Sequence, residues 1–196
     1  ILNRGHIIGN HLYSHPWCSD IPVETVLQEI DTTDQLINQV HATTGIERTR
    51  HFFRFPFGDK GDGLRGDVLA TPSTDGQVRR DQIQAHLRDQ GYTQPPFADI
   101  TYQYYRSAGL LEEVDWFWTY DTHDWCPYHE NPSHGIDSVE KVLARLDEDA
   151  PEDTRGINYT GSADIVLIHD HVTPDHIFQQ IVDKLIAKGV TFKLPQ

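Results

Sequence analysis

Two histidines stand four residues apart in Gly9-Asn10-His11-Leu12-Tyr13-Ser14-His15-Pro16. That spacing lets both imidazoles face one side of a single turn and reach one ion at about 2.0–2.1 Å. Two ligands alone hold a metal weakly, and one exposed plus one core histidine gives the same spacing, so the pair gains meaning only from later segments. Arg54, in Arg54-Phe55-Pro56-Phe57-Gly58, closes an apolar run where a guanidinium is costly to bury unless a carboxylate receives it. It is either a paired arginine at the mouth of a site or a salt bridge holding the following loop.

Further along, Asp121-Thr122-His123-Asp124-Trp125 follows a ring-rich strand and supplies two carboxylates and an indole that either stacks on a ligand ring or caps the core. Leu167-Ile168-His169-Asp170-His171 ends the most hydrophobic strand of the chain, so His169 emerges where that strand runs out. If Asp124 accepts a hydrogen bond from its ring, the imidazolium form is stabilised and His169 can act as an acid near neutral pH; the alternative is a solvated histidine at a strand end.

The composition narrows what this chemistry can serve. Sixteen Lys plus Arg against thirty Asp plus Glu give a net charge of −14, which repels phosphate backbones and anionic lipid and argues against a nucleic-acid partner. No apolar run approaches the roughly 20 residues of a membrane-spanning helix. Trp 4, Tyr 8 and Phe 8 supply core area that disordered chains lack, and 196 residues suit a single domain. Two cysteines, Cys18 and Cys126, allow at most one bridge. With Met 0 and no signal-like opening, the chain reads as a processed product or a fragment.

The elements that must position these groups alternate in type. Apolar residues at Val23, Val26, Leu27, Ile30, Ile37 and Val40 predict a helix closing near Gly45, and Ile83 with Leu87 predicts another over Val78 to Gln90. A third is expected around Tyr102, Tyr104 and Tyr105 within Ala98 to Leu111, with further helices over Asp137 to Leu146 and Thr173 to Lys188. Strands are expected at His51 to Phe55, Val114 to Tyr120, Ile165 to Ile168 and Val190 to Leu194, with a long loop from Gly58 to Gly76. Such alternation indicates an α/β sheet or barrel with its chemistry beyond the carboxyl ends of the strands.

Taken in order, His11-Leu12-Tyr13-Ser14-His15, Arg54-Phe55-Pro56-Phe57, Asp121-Thr122-His123-Asp124-Trp125 and Leu167-Ile168-His169 resemble motifs two to five of the polysaccharide deacetylases, the NodB-homology domain of carbohydrate esterase family four. The resemblance implies an α/β fold, a distorted (β/α) barrel, and hydrolysis of N- or O-acetyl groups on sugars with a divalent ion, commonly Zn2+. It implies His11 and His15 as metal ligands, Arg54 orienting the catalytic base, the main-chain N–H of Phe57 at the oxyanion, Asp124 tuning His169, His169 as general acid, and Trp125 and Leu167 lining the acetyl and sugar pocket.

The family's Thr-Phe-Asp-Asp motif, which carries the base and a third metal ligand, has no counterpart in these 196 residues. The expected fold is therefore an incomplete barrel lacking its first strand. That strand has been cut away, persists as a separate peptide, or belongs to a portion outside this sequence, and the chain alone is expected to be nearly inactive. One domain over residues 1–196 is expected, with insertions near 58–76 and 93–111. The expected partner is an acetylated glycan (chitin, chitooligosaccharide, peptidoglycan or acetylxylan), and the expected location is secreted, periplasmic or cell-envelope associated. Competing readings are a carbohydrate-binding pseudoenzyme without the base and a hydrolase of another C–N bond on the same scaffold.

Overall fold

A computed structural model describes residues 1–94, 106–149, 156–158, 163–170, 173 and 175–195. Its described residues fall into two compact units, one ending at Phe117 and the other running from Trp118 to Pro195. The expected helix around Tyr102, Tyr104 and Tyr105 lies largely outside the described residues, as do much of the expected 93–111 insertion and His171.

In the first unit, α1 spans Val23–Thr44 and α2 spans Thr74–Asp89. Val23, Val26, Ile30 and Ile37 form the buried stripe of α1, while Ile83 and Leu87 do the same for α2. These faces enclose Phe53, Phe55 and Tyr92 in one core. Val40, also on the periodic face, is 44% exposed because the last turns of α1 run past that core to a left-handed Gly45. The second helix begins earlier than its apolar spacing indicates. Ser73 caps it by accepting from the Gly76 N–H at 3.0 Å, so the end of the expected loop is the first turn of α2.

Extended pairing is shorter than expected. Phe53 makes parallel bridges to Asn10 on one side and Asp115 on the other, and no longer ladder forms there. The expected strand from Val114 to Tyr120 is divided between the units. Val114 donates its N–H to the Gln84 side chain at 3.0 Å and Trp116 donates to the Phe53 carbonyl at 2.8 Å. Only Tyr120–Asp121 (β1) continues as a strand, paired in parallel with Val166–Leu167 (β2).

The second unit adds α3, Val139–Arg145, and α4, Ile177–Ala187. Val142 and Leu146 meet Ile177, Ile181 and Leu185 in its core, with Val166 and Ile168 packed against them. The expected strand at Val190 to Leu194 does not form. The Val190 N–H is used on the Leu185 carbonyl at 3.1 Å, closing α4, and Phe192 and Leu194 remain exposed. The mixed α/β character is thus observed, carried by helices and short parallel pairings. No helix among the described residues is long and apolar enough to cross a membrane.

Cys18 and Cys126 are free thiols, each fully buried in its own unit. Burial, reinforced by the Asp59 charge and opposed by Arg79, pushes Cys18 up to about 12, and burial also raises Cys126. Since the thiolate is the reactive form, Ellman's reagent is expected to label neither cysteine in the native protein and both in guanidinium; fast labelling without denaturant would contradict this packing.

Candidate active site

The first group of candidate residues is set by the Asn10–Phe53 bridge. Asn10 donates its N–H to the Phe52 carbonyl at 2.7 Å, and Arg54 donates to the Asn10 carbonyl at 3.1 Å, so the two segments run side by side. The Asn10 side chain is buried and fully engaged. Its amide donates to the Ile30 carbonyl (2.9 Å) and the Tyr92 hydroxyl (2.8 Å), and its oxygen accepts from the Leu12 N–H (3.1 Å). This places His11 over Arg54, whose carbonyl lies 2.7 Å from His11 Nδ1. A carbonyl can only accept, so the network assigns the proton to Nδ1 and leaves Nε2 with its lone pair outward.

That lone pair faces the second histidine. His11 Nε2 and His15 Nε2 are 3.1 Å apart, and their rings meet edge to face. Two nitrogens each about 2.0–2.1 Å from one tetrahedral ion lie close to this separation. Among the described residues no group of three His, Cys, Asp or Glu gathers around an ion position. Backbone strain marks the same neighbourhood, since Leu12, His15, Phe57 and Arg65 all hold left-handed φ angles of 50–62°. Each such non-glycine residue costs roughly 1–3 kcal/mol and persists only where its surroundings force it.

Those surroundings are the Trp17–Ile21 and Phe57–Gly66 loops. Asp59 accepts from the Ser19 N–H (2.8 Å), the Ser19 hydroxyl (2.5 Å) and the Gly61 N–H (3.1 Å). Arg79 reaches from α2 to the carbonyls of Gly61 (2.8 Å), Cys18 (3.1 Å) and Ile21 (2.9 Å). Behind them Lys60, only 3% exposed, pairs with Glu113 and lies 3.4 Å from Asp115, while Arg80 pairs with Glu113 and Asp62. Gly66 completes the support: a β-carbon there would stand 2.7 Å from the Phe57 carbonyl, so the loop presses against the peptide that sets the Phe57 ring.

The second group lies in the second unit. Asp124 is fully buried and accepts from the His169 N–H at 2.9 Å and from His169 Nδ1 at 2.9 Å. Because the carboxylate is the acceptor, Nδ1 carries a proton and Nε2 is the outward nitrogen. Thr122 steadies the pair, its hydroxyl lying 3.0 Å from both Asp124 Oδ1 and the Leu167 carbonyl. Leu167 is buried, and alternation along β2 sends it to the face opposite Val166 and Ile168. Trp125 is half-buried, packs on the core of this unit and meets the His129 ring at 5.1 Å.

Sequence reasoning passed over Asn10, Asp59, Arg79 and Thr122. Asn10 and Thr122 stood inside quoted segments, whereas Asp59 and Arg79 carried no local signal.

Burial alone would raise Asp124, but the His169 side-chain and backbone hydrogen bonds, the His169 charge and Thr122 outweigh it and hold the carboxyl below the ordinary aspartate value of 3.8. A carboxyl depressed on folding contributes stability that is complete above that ordinary value and is lost as pH falls through the lower folded one. Urea unfolding of Asp124→Asn is therefore expected to show a deficit of about 1–3 kcal/mol at pH 7 that shrinks progressively below pH about 4. A deficit independent of pH would show that the carboxylate charge is not what the fold uses.

His11, His15, Arg54 and Phe57 thus belong to the first unit, and Asp124, Trp125, Leu167 and His169 to the second. No curated protein and no solved structure matches the chain. A family model does, over residues 1–71, the stretch that carries the histidine pair, Arg54 and Phe57. That model describes polysaccharide deacetylases, and residues 1–71 are the stretch in which this chain is similar to them.

Proposed function

We propose that the protein is a metal-dependent hydrolase that removes acetyl groups from N- or O-acetylated carbohydrate, on the distorted barrel that the motifs resemble. The observation that carries this reading is the approach of His11 Nε2 to His15 Nε2 at 3.1 Å, with His11 held in the right tautomer by the Arg54 carbonyl, inside the segment matched to the deacetylase family. The parallel pairings of Asn10, Phe53 and Asp115 in one unit, and of Tyr120 with Val166 in the other, support the barrel. The same reading puts the protein outside the cytoplasm, where acetylated glycans are met.

His11 and His15 are the residues that would hold a zinc-like ion. Such an ion, when bound, supplies polarisation of the acetyl carbonyl and a lowered pKa for water. The chain's own groups do the rest. To hold such an ion, both Nε2 atoms would have to present a lone pair, which for a neutral His15 puts its proton on Nδ1. The Phe57 N–H is the donor proposed for the developing oxyanion. His169, oriented through Nδ1 by Asp124, would as an imidazolium donate its Nε2 proton to the departing amide nitrogen, which cannot leave as an anion, and be left neutral with its remaining proton on Nδ1. Arg54 orients the base, which the resemblance assigns to the aspartate motif. Trp125 and Leu167 line the acetyl and sugar pocket.

Zinc content after desalting is the first test. One ion per molecule is expected in the intact protein that includes the aspartate motif, and close to none in its His11→Ala or His15→Ala variant; full occupancy in both variants would end the assignment. His169→Ala is expected to retain zinc while the intact protein's kcat for acetate release from chitooligosaccharide falls by about 10²–10⁴-fold. Loss of zinc in that variant would make His169 a ligand. Glycan binding by a protein that neither retains zinc nor releases acetate would instead identify a carbohydrate-binding pseudoenzyme.

A further inference from the structure

Tyr92 is fixed by main-chain hydrogen bonds on both sides. Gly91, with φ of 78°, turns the backbone out of α2, and the Tyr92 N–H closes that turn on the Leu87 carbonyl at 3.0 Å. Thr93 then donates to the His51 carbonyl at 3.1 Å, which ties the tyrosine to the segment that carries Phe52 and Phe53. Its ring is 1% exposed and meets the His51 and Phe53 rings edge to face.

Packing accounts for the ring but not for the hydroxyl, because a polar oxygen buried in a core costs stability unless it is hydrogen-bonded. Here it has two partners. It accepts from Asn10 Nδ2 at 2.8 Å and donates to Asp34 Oδ1 at 2.7 Å. Every direction in this series is forced. The Ile30 carbonyl can only accept and the Leu12 N–H can only donate, so Asn10 turns its NH2 group to the first and its oxygen to the second. The Tyr92 oxygen receives the other amide hydrogen, and its own hydrogen goes to the Asp34 carboxylate.

Arg48 keeps that carboxylate in place. Its Nη1 lies 2.6 Å from Asp34 Oδ1 and 2.9 Å from Asn38 Oδ1. Burial alone would raise Asp34, but the Tyr92 hydroxyl and Arg48 outweigh it and hold the carboxyl below its ordinary value. Burial, reinforced by Asp34, pushes Tyr92 up to about 12, so the hydroxyl keeps its hydrogen at neutral pH.

The series ends on the main chain around His11. The Asn10 oxygen reaches past His11 to the Leu12 N–H, closing a turn that contains the histidine, and Leu12 holds its left-handed φ of 62° there. Asn10 is 1% exposed, so solvent does not replace a partner that it loses. The His11 ring rides on this turn, with Nδ1 at 2.7 Å from the Arg54 carbonyl.

We infer that Tyr92 and Asp34 are positioning residues for His11, acting through Asn10 to hold its ring with the proton on Nδ1 and the Nε2 lone pair towards His15. What that ring then binds rests on the proposed deacetylase reading.

Tyr92→Phe tests this, because it deletes one oxygen and keeps the ring in the core. Val26→Ala, which loosens the same core without touching the series, is the control. Nitrogen-15 NMR of the histidine rings is recorded on the metal-free full chain in mildly alkaline buffer, with the His11 signals identified by their loss in His11→Ala. A ring protonated at Nδ1 is expected in the native protein and in Val26→Ala, and a mixture of both tautomers in Tyr92→Phe. In the intact protein that includes the aspartate motif, zinc affinity is expected to fall at least tenfold in Tyr92→Phe and to stay within twofold in Val26→Ala. Asp34→Asn, which keeps an acceptor oxygen but not the charge, should shift both readouts the same way by less. A Tyr92→Phe ring still protonated at Nδ1 alone, native zinc affinity in that variant, or an equal loss in Val26→Ala overturns the inference. If the native intact protein holds no zinc, the deacetylase reading falls, and the ring spectra alone decide whether Tyr92 positions His11.

Discussion

The candidate site of the first unit depends on one hydrogen bond, from His11 Nδ1 to the Arg54 carbonyl. A neutral imidazole has one N–H and one lone pair, and fixing the first at a main-chain acceptor decides where the second points. The bond exists because the Asn10 segment runs parallel to the Phe53 segment, and that register is fixed in turn by the Asn10 amide reaching α1 and Tyr92. Asp124 performs the corresponding service for His169 in the second unit, with a carboxylate in place of a carbonyl. The two acceptors differ in kind, since the carboxylate of Asp124 carries a full charge and the Arg54 carbonyl only a dipole.

The loops around the histidine pair are supported by charge. Lys60, Arg80, Asp62, Glu113 and Asp115 form a network with little exposure, although the chain carries a net charge of −14. Burial keeps Asp115 above the ordinary aspartate range, with Lys60 opposing and Glu113 adding to the effect. Removing one partner from such a network strands the others, at a typical cost of about 3–5 kcal/mol, so the network defines one arrangement more than it adds stability.

The helices were legible in the sequence because their apolar stripes repeat over several turns, as in Val23, Val26 and Ile30 or Ile177, Ile181 and Leu185. Strands were legible as extended, buried segments but not as ladders. Phe53 and Val166 are where hydrophobicity places them, yet how many neighbours pair is decided by competing acceptors such as Gln84 for Val114 and Leu185 for Val190. The pairing of Asp124 with His169 was readable because both residues end strands that prove to be neighbours. The stacking of the Phe57 ring on Trp17, with the Arg65 guanidinium over Trp17, was not, because left-handed φ at a phenylalanine or an arginine has no local signature; it goes with the close approach of Gly66 and the ties of the loop to Arg79 of α2.

Among the described residues, the hydrogen bonds of Arg79 go to main-chain oxygens of the two loops it joins. A clamp that recognises carbonyls is indifferent to which side chains those loops display. The outward residues on either segment can therefore be exchanged while the path of the backbone is preserved, so the surface can be altered without rebuilding the architecture.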